Sequence, residues 1–264
     1  MDPVTIYITG TAGAGKTTLT TAWKSWMGDQ GYAVTTVNLD PGMEDPNFEP
    51  DVDVREWVKL EDVMAAAKLG PNGAQIAASD MVGVNLPAIR DALEPLRSDY
   101  ILVDTPGQVE LFAFREASRT IVEELSGDRS MIAFLFDPML ARVPSGFVSL
   151  LLLSATVQFR FGLPIMNVLS KDDLLTEEER ERVARWSSDR DSLYESLSAL
   201  PPRGDALPSA ELFRALEILE PVWDVLPTSA REERGFPDLY RAVQIAFFGG
   251  EDLDKDAGQP SEKL

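Results

Sequence analysis

Residues Gly10-Thr11-Ala12-Gly13-Ala14-Gly15-Lys16-Thr17 constrain this chain more than any other stretch. They fit G-x-x-x-x-G-K-[ST] and stand between a strand pattern and a helix pattern. Val4–Thr9 is β-branched and apolar, as a buried strand requires, and Thr17–Gln30 reads as a helix that stops at Gly31. Small residues between the two let backbone N–H groups turn onto an anion, and the helix start adds its positive end. Gly13, Ala14, Gly15, Lys16, Thr17 and Thr18 are therefore expected to hold the phosphates of a nucleoside triphosphate. Lys16 should reach the β/γ-phosphates, and the Thr17 hydroxyl should ligate Mg²⁺.

Strand and helix patterns then alternate along the chain, which predicts an α/β fold: a doubly wound, mostly parallel sheet with helices on both faces. Strands are expected at Ala33–Leu39, Tyr100–Val103, Met131–Phe136, Pro164–Leu169 and Val222–Pro227. Helices are expected at Glu56–Leu69, Leu86–Leu96, Val109–Leu125, Ser145–Phe161, Thr176–Leu200, Ser209–Leu219 and Phe236–Phe248. Asp40–Asp53, rich in Pro, Asp and Glu, reads as a loop, and Pro201–Pro208 as a linker. Residues 249–264 read as a disordered acidic tail.

Two absences limit the chemistry. The chain has no cysteine and no histidine, so thiolate and imidazole chemistry are excluded. Any general base must be a carboxylate or the substrate itself. The net charge is −20, with only seven lysines among 24 basic residues. Such a surface repels phosphate backbones and anionic lipid, so direct binding to nucleic acid or membrane is not expected. It also suits a salt-rich cytoplasm, where screening removes self-repulsion. Met1-Asp2-Pro3 leads into a strand without a signal-peptide pattern, and the most apolar stretch, 147–157, falls short of the roughly 18 residues that span a bilayer. A cytoplasmic location is expected.

Four further motifs carry chemistry. Ile101-Leu102-Val103-Asp104-Thr105-Pro106-Gly107-Gln108 is an apolar strand ending in a carboxylate, and Asp104 is placed to support Mg²⁺ through water. Gly107 can offer its backbone N–H to a γ-phosphate, and Gln108 and Glu110 stand where an attacking water could be oriented. Ser170-Lys171-Asp172-Asp173 fits [N/S]-K-x-D at a strand's carboxyl end. There Asp173 can accept from the N1–H and exocyclic amine of guanine while Lys171 packs over the ring. Ser229 and Ala230, after the last strand, can close over the base through backbone groups. Asp40, before Pro41, can position or deprotonate water, or merely cap its loop. Leu69-Gly70-Pro71-Asn72-Gly73 reads, by itself, as a helix stop and a turn.

In this order and spacing, the phosphate loop, Leu39-Asp40-Pro41, Asp53-Val54-Arg55, Gly70-Pro71-Asn72-Gly73, Asp104–Gln108 with Glu110-Leu111-Phe112, and Ser170–Asp173 resemble the GPN-loop GTPases, in the form of an archaeal-type single member. The resemblance runs from residue 4 to about residue 248. It implies one P-loop GTPase domain over 1–248 carrying the GPN insertion, GTP as substrate, GDP as product and Mg²⁺ as cofactor. It also implies a homodimer in which Gly70, Pro71 and Asn72 of one subunit contact the terminal phosphate in the other. Eukaryotic relatives assist RNA polymerase II assembly, so RNA polymerase subunits are the client the analogy offers. Two departures stand out: Thr11 occupies the place where many dimerising relatives carry a second Lys, and Ser170 stands where Asn is commoner, which predicts a looser grip on the loop.

Two other readings compete with a GTP-hydrolysing switch. A P-loop kinase needs an Arg-rich lid, and the arginines here are scattered through helices. A chaperone-like binder would use the apolar residues Phe147, Val148, Leu150–Leu153, Val157, Phe159 and Phe161 as a peptide surface, although a helix packed on the sheet accounts for the same pattern.

Overall fold

A computed structural model describes residues 2–44, 48–199 and 223–249. Seven strands form one sheet: β1 (Val4–Gly10), β2 (Val34–Asn38), β3 (Val52–Asp53), β4 (Tyr100–Asp104), β5 (Ser130–Phe136), β6 (Ile165–Leu169) and β7 (Val225–Pro227), in the order β3-β2-β4-β1-β5-β6-β7. Every pairing between them is parallel. The alternation of the strands divides the core in two. Tyr7, Val103, Ile132, Phe134 and Phe136 face one side, where Phe112, Phe147 and Trp186 meet them. Ile6, Ile8, Leu102, Ala133 and Leu135 face the other, against Trp23, Met27, Phe236 and Leu239. Leu102 is wholly buried on β4, an interior strand between β2 and β1. Leu102→Ala is expected to cost about 2–5 kcal/mol by leaving a cavity there, read as a lower midpoint in chemical denaturation.

The described helices are α1 (Lys16–Asp29), α2 (Leu60–Ala67), α3 (Pro71–Val84), α4 (Leu86–Leu93), α5 (Val109–Ala113), α6 (Glu116–Leu125), α7 (Pro138–Ala141), α8 (Pro144–Phe161), α9 (Glu177–Ser188), α10 (Arg190–Ser198) and α11 (Phe236–Phe248). They cover both faces, as expected. None is long and apolar enough to cross a membrane.

Four local expectations need correction. The GPN segment is not a turn: Gly70 is the extended N-cap (φ −72°, ψ 169°) of α3, and Pro71 occupies its first turn. A proline with its fixed φ and missing donor stops a helix only from within; at the first position it starts one. The expected loop Asp40–Asp53 contains β3, whose Val52 is buried against β2. The single helix expected over Val109–Leu125 breaks at Phe114-Arg115 into α5 and α6. Likewise Thr176–Leu200 breaks at Asp189, whose carboxylate accepts from the N–H groups of Asp191 and Ser192 and so starts α10. Thr176 does cap α9, in the reciprocal arrangement with Glu179 that the spacing predicts.

Helix α8 buries Phe147, Val148, Leu150, Leu151 and Val157. Phe161 packs on Phe112, with ring centroids 4.9 Å apart, while Phe159 is 92% exposed. The apolar run is thus mostly a core face. The linker at 201–208, the helix at 209–219 and all of the tail beyond Gly249 lie outside the described residues.

Candidate active site

The carboxyl ends of the strands converge on one edge of the sheet, where an open parallel α/β sheet binds its ligands. Residues 10–17 leave β1 there, Asp40 follows β2, Asp104 ends β4, Ser170 follows β6 and Thr228 follows β7. The phosphate loop turns at Gly15 in the left-handed region (φ 92°). A Cβ at that glycine would lie 2.8 Å from Cε of Lys171, because the lysine stem crosses the loop there. Lys171 Nζ donates to the Gly13 carbonyl at 2.6 Å. The Ser170 hydroxyl reaches the Ala14 carbonyl at 2.6 Å and the Phe136 carbonyl at 3.1 Å. Serine therefore ties the turn after β6 to the phosphate loop through a buried hydrogen bond, rather than holding it loosely.

Lys16 is buried, and its ammonium donates to the carbonyls of Gly10 (3.2 Å), Thr11 (3.0 Å) and Gly107 (2.7 Å). Burial pulls its pKa below the ordinary lysine value, and the charges of Asp104, Asp40 and Glu110 oppose that shift. The Thr17 hydroxyl donates to Asp104 Oδ2 at 2.6 Å. Asp104 is fully buried, and burial pushes its carboxyl up to about 7 against the pull of the Thr17 hydrogen bond and Lys16. Its Oδ1 is enclosed without any hydrogen-bond partner. A buried carboxylate oxygen left unpaired beside a hydroxyl is what a hard divalent cation satisfies. Thr17 and Asp104 thus fit Mg²⁺, which keeps most of its shell as water and phosphate oxygen.

Asp40 joins the first and second halves of the site. Its Oδ1 accepts from the Gly42 N–H at 2.8 Å, and its Oδ2 accepts from the Gly107 N–H at 2.9 Å. Both ends of the Gly107 residue are consequently engaged, the N–H by Asp40 and the carbonyl by Lys16. Asn38 aims Asp40: its Oδ1 accepts from the Asp40 N–H at 2.9 Å, and its Nδ2 donates to the Asp40 carbonyl and to Asp53 Oδ1. Asp53 in turn pairs with Arg55, whose guanidinium also donates to the Met43 carbonyl. The Asp53-Val54-Arg55 motif is thereby a brace beneath Asp40, with Asp53 held below the usual carboxylate range by the Arg55 and Asn38 hydrogen bonds despite partial burial. Sequence alone had offered no task for it.

Lys16, Thr17, Asp40, Asp104 and Gly107 are brought together. Gln108 and Glu110 are exposed at the start of α5, and the Gln108 amide donates to Gln75 Oε1 on α3 at 3.4 Å. Gly70, Pro71 and Asn72 are exposed at the start of α3, away from this cluster of hydrogen bonds. At the base-reading end, Asp173 Oδ1 accepts from the Ser229 hydroxyl at 2.7 Å, so Ser229 contributes its side chain where only its backbone was expected to act. Ala230 is half-buried beside it. Gln75, Asn38 and Arg234 escaped the sequence reading.

A family profile described as "Conserved hypothetical ATP binding protein" matches residues 8–248. A GPN-loop GTPase of Pyrococcus abyssi is 34% identical over 236 residues, 89% of this chain and 93% of that protein. The chain belongs to the GPN-loop GTPases. The crystal structure of a GTPase from Pyrococcus abyssi, in its apo form, superimposes with a TM-score of 0.80 at 31% identity, covering 91% of this chain and 96% of that one. GPN-loop GTPase 1 of Dictyostelium discoideum is 28% identical over 99% of this chain and 67% of that protein. This GPN-loop GTPase accordingly binds and hydrolyses GTP, the activity for which its relatives are named.

Proposed function

We propose that the protein is a Mg²⁺-dependent, homodimeric GTP switch whose chemistry is carried by Lys16, Thr17, Asp40, Asn72, Asp104, Gln108 and Glu110. The observation that supports this most is the orphaned Oδ1 of buried Asp104 beside Thr17 and Lys16. Gly13, Ala14, Gly15 and Thr18 present backbone and side-chain donors to the phosphates, and the Lys16 ammonium exchanges its carbonyl partners for β/γ-oxygens. When bound at Thr17 and Asp104, Mg²⁺ supplies charge neutralisation at the β- and γ-phosphates. The oxygen of a water attacks the γ-phosphorus while the bond from that phosphorus to the β–γ bridging oxygen breaks, so that the electron pair leaves with GDP. The water proton passes to a phosphate oxygen or to the Asp40 carboxylate, since the chain has no imidazole. Gln108 and Glu110 orient the water at the rim. The Gly107 N–H, held by Asp40 in this structure, is the donor that a γ-phosphate competes for.

The profile's description names ATP and the relatives' names name GTP. Base chemistry favours the second: the Asp173 carboxylate offers paired acceptors to the N1–H and amine of guanine, and adenine has no such pair of donors. Asp173→Ala should weaken GTP binding by tenfold or more while ATP binding stays where it was, read by calorimetry. Equal wild-type affinities for the two nucleotides would refute the guanine reading. The GTP-dependent dimer is further proposed to act in the cytoplasm on the assembly of a protein complex such as RNA polymerase, and capture of polymerase subunits on GTP-locked protein is the experiment that tests it.

A further inference from the structure

The turn after β6 carries two adjacent carboxylates with different partners. Asp173 is half-buried and takes the Ser229 hydroxyl, whereas Asp172 is 2% exposed. A buried carboxylate needs a partner. Asp172 finds it in Arg234, which lies 62 residues away in the chain and whose Nη2 donates to Asp172 Oδ1 at 2.8 Å. Arg234 also closes the loop after β7. Its N–H donates to the Ser229 carbonyl at 2.9 Å, and its carbonyl accepts from the Ser229 N–H at 3.1 Å, forming an isolated antiparallel bridge. The Asp172 N–H donates to the Thr228 carbonyl at 3.0 Å. The contacts form a ring: Asp173 to the Ser229 hydroxyl, Ser229 backbone to Arg234, Arg234 guanidinium to Asp172, and Asp172 by peptide bond back to Asp173.

We infer that Arg234 is a specificity-determining positioning residue, holding the Asp173 carboxylate at the angle that guanine requires. The inference rests on the reading of Asp173 as the base acceptor. Arg234 acts twice, by geometry and by charge. Its guanidinium ties the loop after β7 to the turn after β6 through Asp172, which keeps the Ser229 hydroxyl in register with Asp173 and removes the rotational freedom of that carboxylate before the base arrives. Through the guanidinium it offsets the negative charge of Asp172, the immediate neighbour of the acceptor. Neither task involves the phosphates, which sit at the loop after β1. Losing Arg234 should therefore cost recognition of the base and spare recognition of the triphosphate.

The experiment compares Kd for GTP, ITP and ATP in wild type, Arg234→Ala, Arg234→Lys and Asp173→Ala. Inosine lacks the exocyclic amine, so the GTP-to-ITP ratio reads the paired contact. Arg234→Ala should lower the GTP preference over ITP by about tenfold with ATP affinity unchanged, and Arg234→Lys should recover part of it. A uniform loss for all three nucleotides, or a wild-type ratio in Arg234→Ala, overturns the inference. If Arg234→Ala leaves Asp172 uncompensated and does not fold, Asp172→Leu removes the acceptor and the buried charge together, breaks the same ring and carries the same expectation. Asp173→Ala separates the two failures. A wild-type ratio in that variant overturns the base-acceptor reading itself, whereas a collapsed ratio there beside a wild-type ratio in Arg234→Ala overturns only the role of Arg234.

Discussion

Lys16→Ala should lower GTP turnover by about a thousandfold or more, the loss expected when a charged donor aimed at developing negative charge is removed. The ammonium is the only cation seated among the carbonyls of Gly10, Thr11 and Gly107, among the described residues. The other ammonium at the loop, that of Lys171, is engaged with the Gly13 carbonyl at 2.6 Å, and Thr11 carries no charge. Removing it leaves those carbonyls with one donor fewer, so a moderate loss of stability accompanies the loss of rate. Single-turnover kinetics at saturating GTP separate the two, since only folded protein that binds nucleotide is counted. Full turnover in this variant would mean that the phosphate loop is wrongly assigned.

Asn72→Ala should lower kcat by about a hundredfold and barely change GTP affinity, the pattern of a donor used only in the transition state. The side chain is exposed on the first turn of α3, where the proposed homodimer would bring the second subunit. Mixing Asn72→Ala with Lys16→Ala protein sharpens the test. Each mixed dimer contains one site with an intact phosphate loop facing an intact Asn72, so part of the activity should return. No recovery, with subunit exchange demonstrated, would place the action of Asn72 within its own subunit.

The parts of this molecule that sequence makes legible are those in which one residue's neighbours decide its task. Strands β1, β4, β5 and β6 are apolar runs of five to seven residues buried on both faces, so each announces itself. Asp104 and Asp173 are read from strand ends for the same reason. What stays hidden depends on partners far along the chain. β3 is two residues long and exists because β2 offers it an edge. The Asp172–Arg234 pair joins residues in separate loops, and nothing in either loop names the other. Helix α3 escapes for a different reason. It buries mainly Ala74, Ala78, Ser79 and Val82, residues too small to give an apolar stripe, and its opening Gly-Pro-Asn-Gly imitates a stop.

That α3 is a helix and not a loop changes what the GPN residues can report. A loop moves locally, whereas a helix moves as a rod. Near its far end, Gly83 sits so close to α6 that a Cβ there would lie 2.9 Å from Cβ of Ala117. Between them, Asp80 pairs with Arg115 at the break between α5 and α6, and Gln75 meets Gln108 at the edge of the phosphate site. From the pivot at Gly83 to Asn72 the rod measures roughly 16 Å at 1.5 Å per residue. A tilt of about 5° at the pivot sweeps Asn72 through about 1.4 Å, the difference between a hydrogen bond and a gap. Gln75 stands only three residues from Asn72 on the same rod, so a displacement of α3 felt at the Gln75–Gln108 contact is carried almost unchanged to the GPN tip, and the two ends of that short span report one motion.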